Sequence, residues 1–267
     1  MRSHADEPVP ALREGACHLW WARRSDAHPE LAELLDREER RRATAFYHSA
    51  DRDRFTVGRA LTRLALATYL AEPPGGILID SKCDRCGRPH GKPRLASGAG
   101  GIELSISHSG ERVVVAVACD SPLGVDVEPV PPYLATEELA AQVLTAEEVA
   151  VLSSLEEAER ATAFLTYWTR KEAVAKATGQ GLALTLRAFS VSPPGAPARV
   201  VTREEGLWQG PMLLHDLDPG PGHVASLAVM GPCDRPVDRD GSTLLAAWQT
   251  AVAPGPSRTG DKPSEQT

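Results

Sequence analysis

Two stretches far apart in the chain read alike. Arg112-Val113-Val114-Val115-Ala116-Val117-Ala118-Cys119 and His223-Val224-Ala225-Ser226-Leu227-Ala228-Val229-Met230 each have a polar start, a run of small and β-branched residues, and a turn. Runs of this length bounded by turn residues read as buried strands. A chain that buries two such strands must cover each with another layer, and helical patterns are present to do so. Phe55, Leu61, Leu64 and Tyr69 fall near helical spacing between Asp51 and Leu70, and Pro73-Pro74-Gly75-Gly76 ends the pattern. A longer helix is expected from Ala158 to Thr178, closed by Gly179. Ile102, Leu104 and Ile106 alternate like a strand, and Leu123 to Val130 is another. The echo suits two related α+β halves meeting at Ser121-Pro122, although two unrelated buried strands would read the same way.

With 267 residues, 42% hydrophobic and 24% charged, the chain has material for a sizeable core. Its longest apolar run, Val113 to Cys119, falls far short of the ~20 residues of a membrane helix, and MRSHADEPVP has no apolar signal core. A cytoplasmic protein off the membrane is expected. A net charge of −7 argues against a nucleic-acid surface spread over the molecule. Residues 1–10 and 252–267 read as disordered polar tails, leaving halves at 11–120 and 121–251. Residues 120 to 160 hold ten acids and one base, most simply a solvated helical face. Five cysteines do not make a disulfide scaffold. Of 29 basic residues only five are Lys, so each Lys asks why Arg was not used. Lys can surrender a proton; Arg in effect cannot.

Three stretches could do chemistry. In Gly124-Val125-Asp126-Val127-Glu128 the carboxylates are two apart, so in a strand both project from one face. Paired carboxylates repel unless a cation neutralises them, and hard oxygen ligands suit Mg²⁺. A partly exposed strand with an acidic outer face fits the spacing as well. In Trp168-Thr169-Arg170-Lys171-Glu172-Ala173-Val174-Ala175-Lys176, Trp168, Glu172 and Lys176 share one helical face. Alone, this reads as an ordinary ion pair worth ~0.3–0.5 kcal/mol. Third, Ser105-Ile106-Ser107-His108-Ser109-Gly110, with Gly91-Lys92-Pro93-Arg94 upstream, puts a His at a strand end beside turn-forming residues. Such a place can meet a phosphate or be a plain surface turn. No strand–Gly-x-Ser-x-Gly–helix pattern of a hydrolase is present.

In this order, the stretches resemble the Sfp-like 4′-phosphopantetheinyl transferases, in the Trp-x-x-Lys-Glu-Ala subgroup. The matching pieces are Gly124 to Glu128, Trp168 to Lys176, Gly179 to Leu182, Gly91-Lys92-Pro93, Ser107 to Gly110, and Phe46-Tyr47-His48 with Asp51 and Arg54. The resemblance implies an α+β fold, a pseudo-twofold pair of similar halves with coenzyme A in the cleft between them. It implies a holo-[acyl-carrier-protein] synthase that moves the 4′-phosphopantetheine arm of coenzyme A to a serine of an apo acyl or peptidyl carrier protein. 3′,5′-Adenosine bisphosphate would be released. Such enzymes serve polyketide, nonribosomal peptide and fatty-acid biosynthesis.

Carried over by position, the resemblance makes Asp126, Glu128 and Glu172 the ligands of Mg²⁺ (or Mn²⁺), Glu172 the base and Lys176 the partner of the phosphates. Coenzyme A contacts fall to Arg42, Arg54, Lys92, Pro93, Arg94, Ser107, His108, Asp126, Lys171 and Lys176, with Arg54 and His108 near the 3′-phosphate. The family's basic residues ahead of Phe46 appear in altered register, so Arg40, Arg41 and Arg42 compete, with Arg42 preferred. Both halves lie in one chain, so a monomer is expected. Arg170, about 200° around the helix from Glu172, should tolerate Lys.

Cys83, Cys86 and His90 stand outside that pattern. They resemble half of a zinc knuckle, to which Cys119 could add a fourth ligand. A zinc-dependent binding module, and a Mg²⁺-dependent phosphohydrolase using the same carboxylates, are the alternatives.

Overall fold

The computed structural model describes residues 12–83, 85–134 and 136–252. The chain opens with strand β1 (Cys17–Arg23) and helices α1 (Arg37–Ala45) and α2 (Ser49–Ala67). Short strands β2 (Ile79–Asp80) and β3 (Arg94–Leu95) flank a loop, and the hairpin β4 (Ile102–Ser109)–β5 (Arg112–Cys119) follows. Next come β6 (Leu123–Pro129), α3 (Thr136–Val143), α4 (Ala146–Ser154) and the long α5 (Glu157–Thr178). Strands β7 (Phe189–Val191), β8 (Val200–Arg203), β9 (Met212–Leu217), β10 (His223–Met230) and β11 (Val237–Asp240) precede helix α6 (Gly241–Val252). The expected long helix is there, closed by Gly179 in the left-handed region at φ 71°.

The fold is α+β, and its two halves share one topology. The first runs β1, α2, β4, β5 with strand order β1-β5-β4; the second runs β6, α5, β9, β10 with order β6-β10-β9. Neighbours are antiparallel in both. The two Val/Ala runs that read alike are the central strands, β5 and β10. Both of their faces are covered, which is why neither shows polar alternation.

Strand alternation sorts the apolar side chains into layers. Val113, Val115 and Val117 of β5 pack under α2 with Phe55, Leu61 and Leu64. Val114, Ala116 and Ala118 point the other way, onto Leu123, Val125 and Val127 of β6 and Ala225, Leu227 and Val229 of β10. A third core, with Phe164, Tyr167, Val174 and Phe189, joins α5 to the second sheet. The layers are thus helix, sheet, sheet, helix. Each fully buried Val or Leu contributes roughly 1.5–3 kcal/mol.

The chain end departs from the expected division at 120/121. β11 pairs in parallel with β1, and α6 seats Leu245 in the first core. Residues 237–252 therefore return to the first half, where they cover what would otherwise be an exposed edge of β1. Val237-Asp238-Arg239-Asp240 is too polar to announce a strand. Of the expected tails 1–10 and 252–267, all but Val252 lie outside the described residues, and Val252 instead ends α6. Among the described residues, no helix is long and apolar enough to cross a membrane.

Candidate active site

The two sheets meet where β4 runs beside β6 without a backbone ladder. Serines of β4 supply the missing partners. Ser105 and Ser107 Oγ accept from the Val125 and Val127 N–H groups at 3.1 and 3.3 Å. Ser107 Oγ donates to Asp126 Oδ1 at 2.9 Å, and Ser109 Oγ donates to Glu128 Oε2 at 2.6 Å. Period-two alternation puts all three serines on one face of β4. His108, one residue out of phase, faces α2 instead.

On β6 the same alternation sends Val125 and Val127 into the intersheet core and turns Gly124, Asp126 and Glu128 toward α5. Gly124 sets how close that helix comes. A Cβ built there would lie 2.1 Å from the Ala173 carbonyl oxygen and 2.4 Å from the Ala177 nitrogen. Helix and strand therefore touch backbone to backbone, which brings Glu172 and Lys176 over the strand carboxylates. Gly124→Ala is expected to force the two apart, lowering stability by roughly 1–3 kcal/mol. Thermal unfolding checks this; an unchanged Tm would show that no such contact exists.

Lys176 Nζ donates to Asp126 Oδ1 at 2.7 Å, to the Val125 carbonyl at 3.0 Å and to Ser107 Oγ at 3.1 Å. Asp126 is only 4% exposed, and its Oδ2 is buried without a hydrogen-bond partner among the described residues. Burial pushes the Glu128 and Glu172 carboxyls above the usual carboxylate range, and the Asp126 charge pushes both further. Ser109, Lys176 and Arg54 only partly oppose this at Glu128, and Lys176 alone opposes it at Glu172. Three carboxylates that feel one another's charge, one with an idle buried oxygen, suit a hard divalent cation.

Glu172 and Lys176 of this cluster line a cavity of 960 Å³, whereas Ser107, Asp126 and Glu128 are not among its walls. Its walls are Phe55, Gly58 and Arg59 of α2, Ser105, Ile106 and His108 of β4, Glu172 and Lys176 of α5, Arg42, and the loop with Lys82, Arg85, Lys92, Pro93 and Arg94. Burial, followed by the Lys176, Arg54 and Arg59 charges, lowers the His108 pKa to about 4, so its imidazole is neutral at pH 7. Lys92 donates to the Ala177 carbonyl and pairs with Glu103, both at 3.3 Å; burial lowers its pKa despite that partner. Arg54 pairs with Asp51 and donates to the Gly110 carbonyl at 3.0 Å, just outside the cavity walls. Of Arg40, Arg41 and Arg42, Arg42 faces the cavity. Arg41 pairs with Glu38 on the surface, and Arg40 bonds the Ala32 carbonyl.

One expected contact is corrected. Lys171 is 0% exposed and faces away from the cavity, with Nζ donating to the Phe189 and Leu186 carbonyls at 2.6 and 2.9 Å and pairing with Glu148 at 2.8 Å. One residue along a helix is a 100° turn, which carries this ammonium into the third core. Glu148, on α4, leaves the expected solvated face to pair with Lys171 and accept from the Val191 N–H. Arg59 was missed. It pairs with Glu39, donates to Ser81 Oγ at 3.1 Å, and sits 5.4 Å from the Phe55 ring, whose centroid is 5.0 Å from the Arg42 guanidinium. The i,i+4 spacing of Phe55 and Arg59 was the available signal.

Comparison with known proteins covers both halves. The model of the 4′-phosphopantetheinyl transferase superfamily matches residues 122–226, and that of the 4′-phosphopantetheinyl transferase N-terminal region matches residues 19–120. The 4′-phosphopantetheinyl transferase HetI of Nostoc sp. is 32% identical over 239 residues, which is 86% of this chain and 96% of that protein. The 4′-phosphopantetheinyl transferase Sfp of Bacillus subtilis is 29% identical over 59% of this chain and 66% of its own length. The L-aminoadipate-semialdehyde dehydrogenase-phosphopantetheinyl transferase of Xenopus laevis is 30% identical over 61% of this chain and 56% of its own length.

Proposed function

The chain belongs to the 4′-phosphopantetheinyl transferase superfamily, and on that premise we propose that it moves the 4′-phosphopantetheine arm of coenzyme A onto a serine hydroxyl of an apo acyl or peptidyl carrier protein, releasing 3′,5′-adenosine bisphosphate. The observation behind this reading is that Glu172 and Lys176 line a cavity walled by Arg42, Arg59, Lys92 and Arg94, with Lys176 paired to Asp126 and the Asp126 and Glu128 charges acting on Glu172. Phosphoryl transfer needs alignment and charge neutralisation more than covalent help, and this arrangement offers both.

Asp126, Glu128 and Glu172 would hold Mg²⁺, the idle Asp126 Oδ2 being the clearest position for it. Held there, such a cation would supply charge neutralisation to a pyrophosphate and Lewis-acid polarisation to its phosphorus. The chain's own groups do the rest. Glu172 lines the cavity, where it can take the serine proton directly or through water. Lys176, held by Asp126, Ser107 and Val125, offers an ammonium to the departing phosphate. Arg42, Arg59, Lys92 and Arg94 supply positive charge for the nucleotide, while His108 offers a neutral N–H. Arg54 would reach the 3′-phosphate by leaving Asp51. The whole site comes from one chain, so a monomer suffices.

Incubation with coenzyme A, Mg²⁺ and apo carrier proteins tests this reading. A mass gain of one phosphopantetheine arm on the carrier, absent from a carrier with its acceptor serine changed to Ala, is the expected result. Release of phosphate from simple phosphoesters with no carrier modified would favour the phosphohydrolase and overturn it.

A further inference from the structure

The transfer reaction makes no use of Cys83, Cys86 and His90, yet the fold gathers them. Their ligand atoms all lie within 4.8 Å of one another, and Cys86 Sγ is 2.9 Å from His90 Nε2. Tetrahedral zinc, with bonds of about 2.3 Å to sulfur and 2.0–2.1 Å to nitrogen, sets its ligand atoms roughly 3.5–3.8 Å apart. The observed cluster brackets that spacing, so small side-chain rotations suffice.

The backbone explains why these residues meet. The Cys83 N–H donates to the Arg88 carbonyl, and the Gly87 N–H returns to the Cys83 carbonyl, both at 2.8 Å. Gly87 has φ 71°, a region that favours glycine. The Gly91 N–H closes the loop on the Ser81 carbonyl at 2.7 Å, where a Cβ would lie 2.5 Å from the Lys82 carbonyl oxygen. Apolar packing does not hold this loop. Among its described residues from 81 to 94, none is buried. Yet it presents Lys82, Arg85, Lys92 and Arg94 to the cavity.

We propose that Cys83, Cys86 and His90 bind one zinc ion that clamps this loop beside the cavity. Two thiolates and an imidazole select a borderline-soft cation over Mg²⁺, which prefers oxygen. Binding releases the two thiol protons, and the resulting charges sum to zero. The positive charge of the neighbouring Lys and Arg side chains therefore stays available to phosphates. Cys119, the expected fourth ligand, does not join: its thiol bonds the Gly100 carbonyl and the Asp120 carboxylate. The fourth position falls to water or to a donor in the cavity, as in open zinc sites. These three residues line the same cavity as Glu172 and Lys176 but share no ligand with the carboxylate set, so the test does not depend on transfer.

The test is to strip the full chain with chelator and titrate it anaerobically, under reducing conditions, with Co²⁺ and then Zn²⁺. One equivalent of Co²⁺ should produce the charge-transfer absorption of cobalt–thiolate bonds, Zn²⁺ should bleach it, and Tm should rise with bound zinc. Cys86→Ser and His90→Ala should weaken zinc by more than the ~10–100-fold that losing an outer partner of a ligand costs. Cys119→Ser should bind like the parent chain. No cobalt–thiolate band in the parent chain would overturn the proposal, as would full affinity in Cys86→Ser. A Cys83–Cys86 disulfide that survives the reducing conditions of the titration would overturn it too.

Discussion

Asp126→Asn is expected to abolish phosphopantetheine transfer while leaving the fold intact. The Asn side chain has the same shape, and its Oδ1 can still accept from Ser107 and Lys176. It loses the negative charge and puts an NH₂ where the idle Oδ2 now sits. A hard cation gains nothing from an NH₂ group. Metal assistance to phosphoryl transfer is worth several kcal/mol, and each 1.36 kcal/mol is tenfold in rate, so the loss should reach at least ~10³-fold. EDTA should silence the parent enzyme equally, with Mg²⁺ restoring it. Steady-state transfer rates, with circular dichroism for the fold, make the measurement. Full activity in EDTA would sink the metal assignment.

Lys176→Arg should cost nearly as much. The ammonium satisfies three acceptors on two elements, Asp126 Oδ1, Ser107 Oγ and the Val125 carbonyl. A planar guanidinium cannot aim three hydrogens at acceptors gathered around one point. It also cannot release a proton to the leaving phosphate. A loss of ~10²–10⁴-fold in kcat, with coenzyme A affinity nearly unchanged, is the signature of a missing general acid. Near-parental turnover would reduce Lys176 to a charge clamp. The control must come from elsewhere than Arg170, which sequence alone marked as tolerant of Lys. Arg170 is fully buried and bonds both Asp216 oxygens and the Ser192, Pro193 and Ala196 carbonyls. Lys there would leave several of these unmatched, at about 1–3 kcal/mol for each buried acceptor. Arg41→Lys, on the surface beside Glu38, is the neutral comparison.

What was legible in the sequence was what depends on near neighbours. Period-two alternation placed Asp126 and Glu128 on one strand face, and period 3.6 placed Glu172 and Lys176 on one helix face. Gly179 marked the helix end, and the two Val/Ala runs marked central strands. The order of the motifs pointed to a family that the comparisons then showed.

Only the tertiary structure decided which charges share a site. Lys171 and Lys176 lie on one helix and carry the same charge. One is buried against Glu148 and the other sits over Asp126, because the close contact at Gly124 sets which helix face meets β6. The serines of β4 looked like a phosphate turn, and their role in satisfying β6 depends on an approach between the halves that no local pattern encodes. Arg59 became a cavity wall through its neighbours on α1 and the loop after β2. The return of β11 and α6 to the first half was equally hidden, since a polar edge strand is read only against the partner it covers. Local periodicity orients a side chain relative to its own element; packing between elements, set by a few close contacts, decides what that side chain faces.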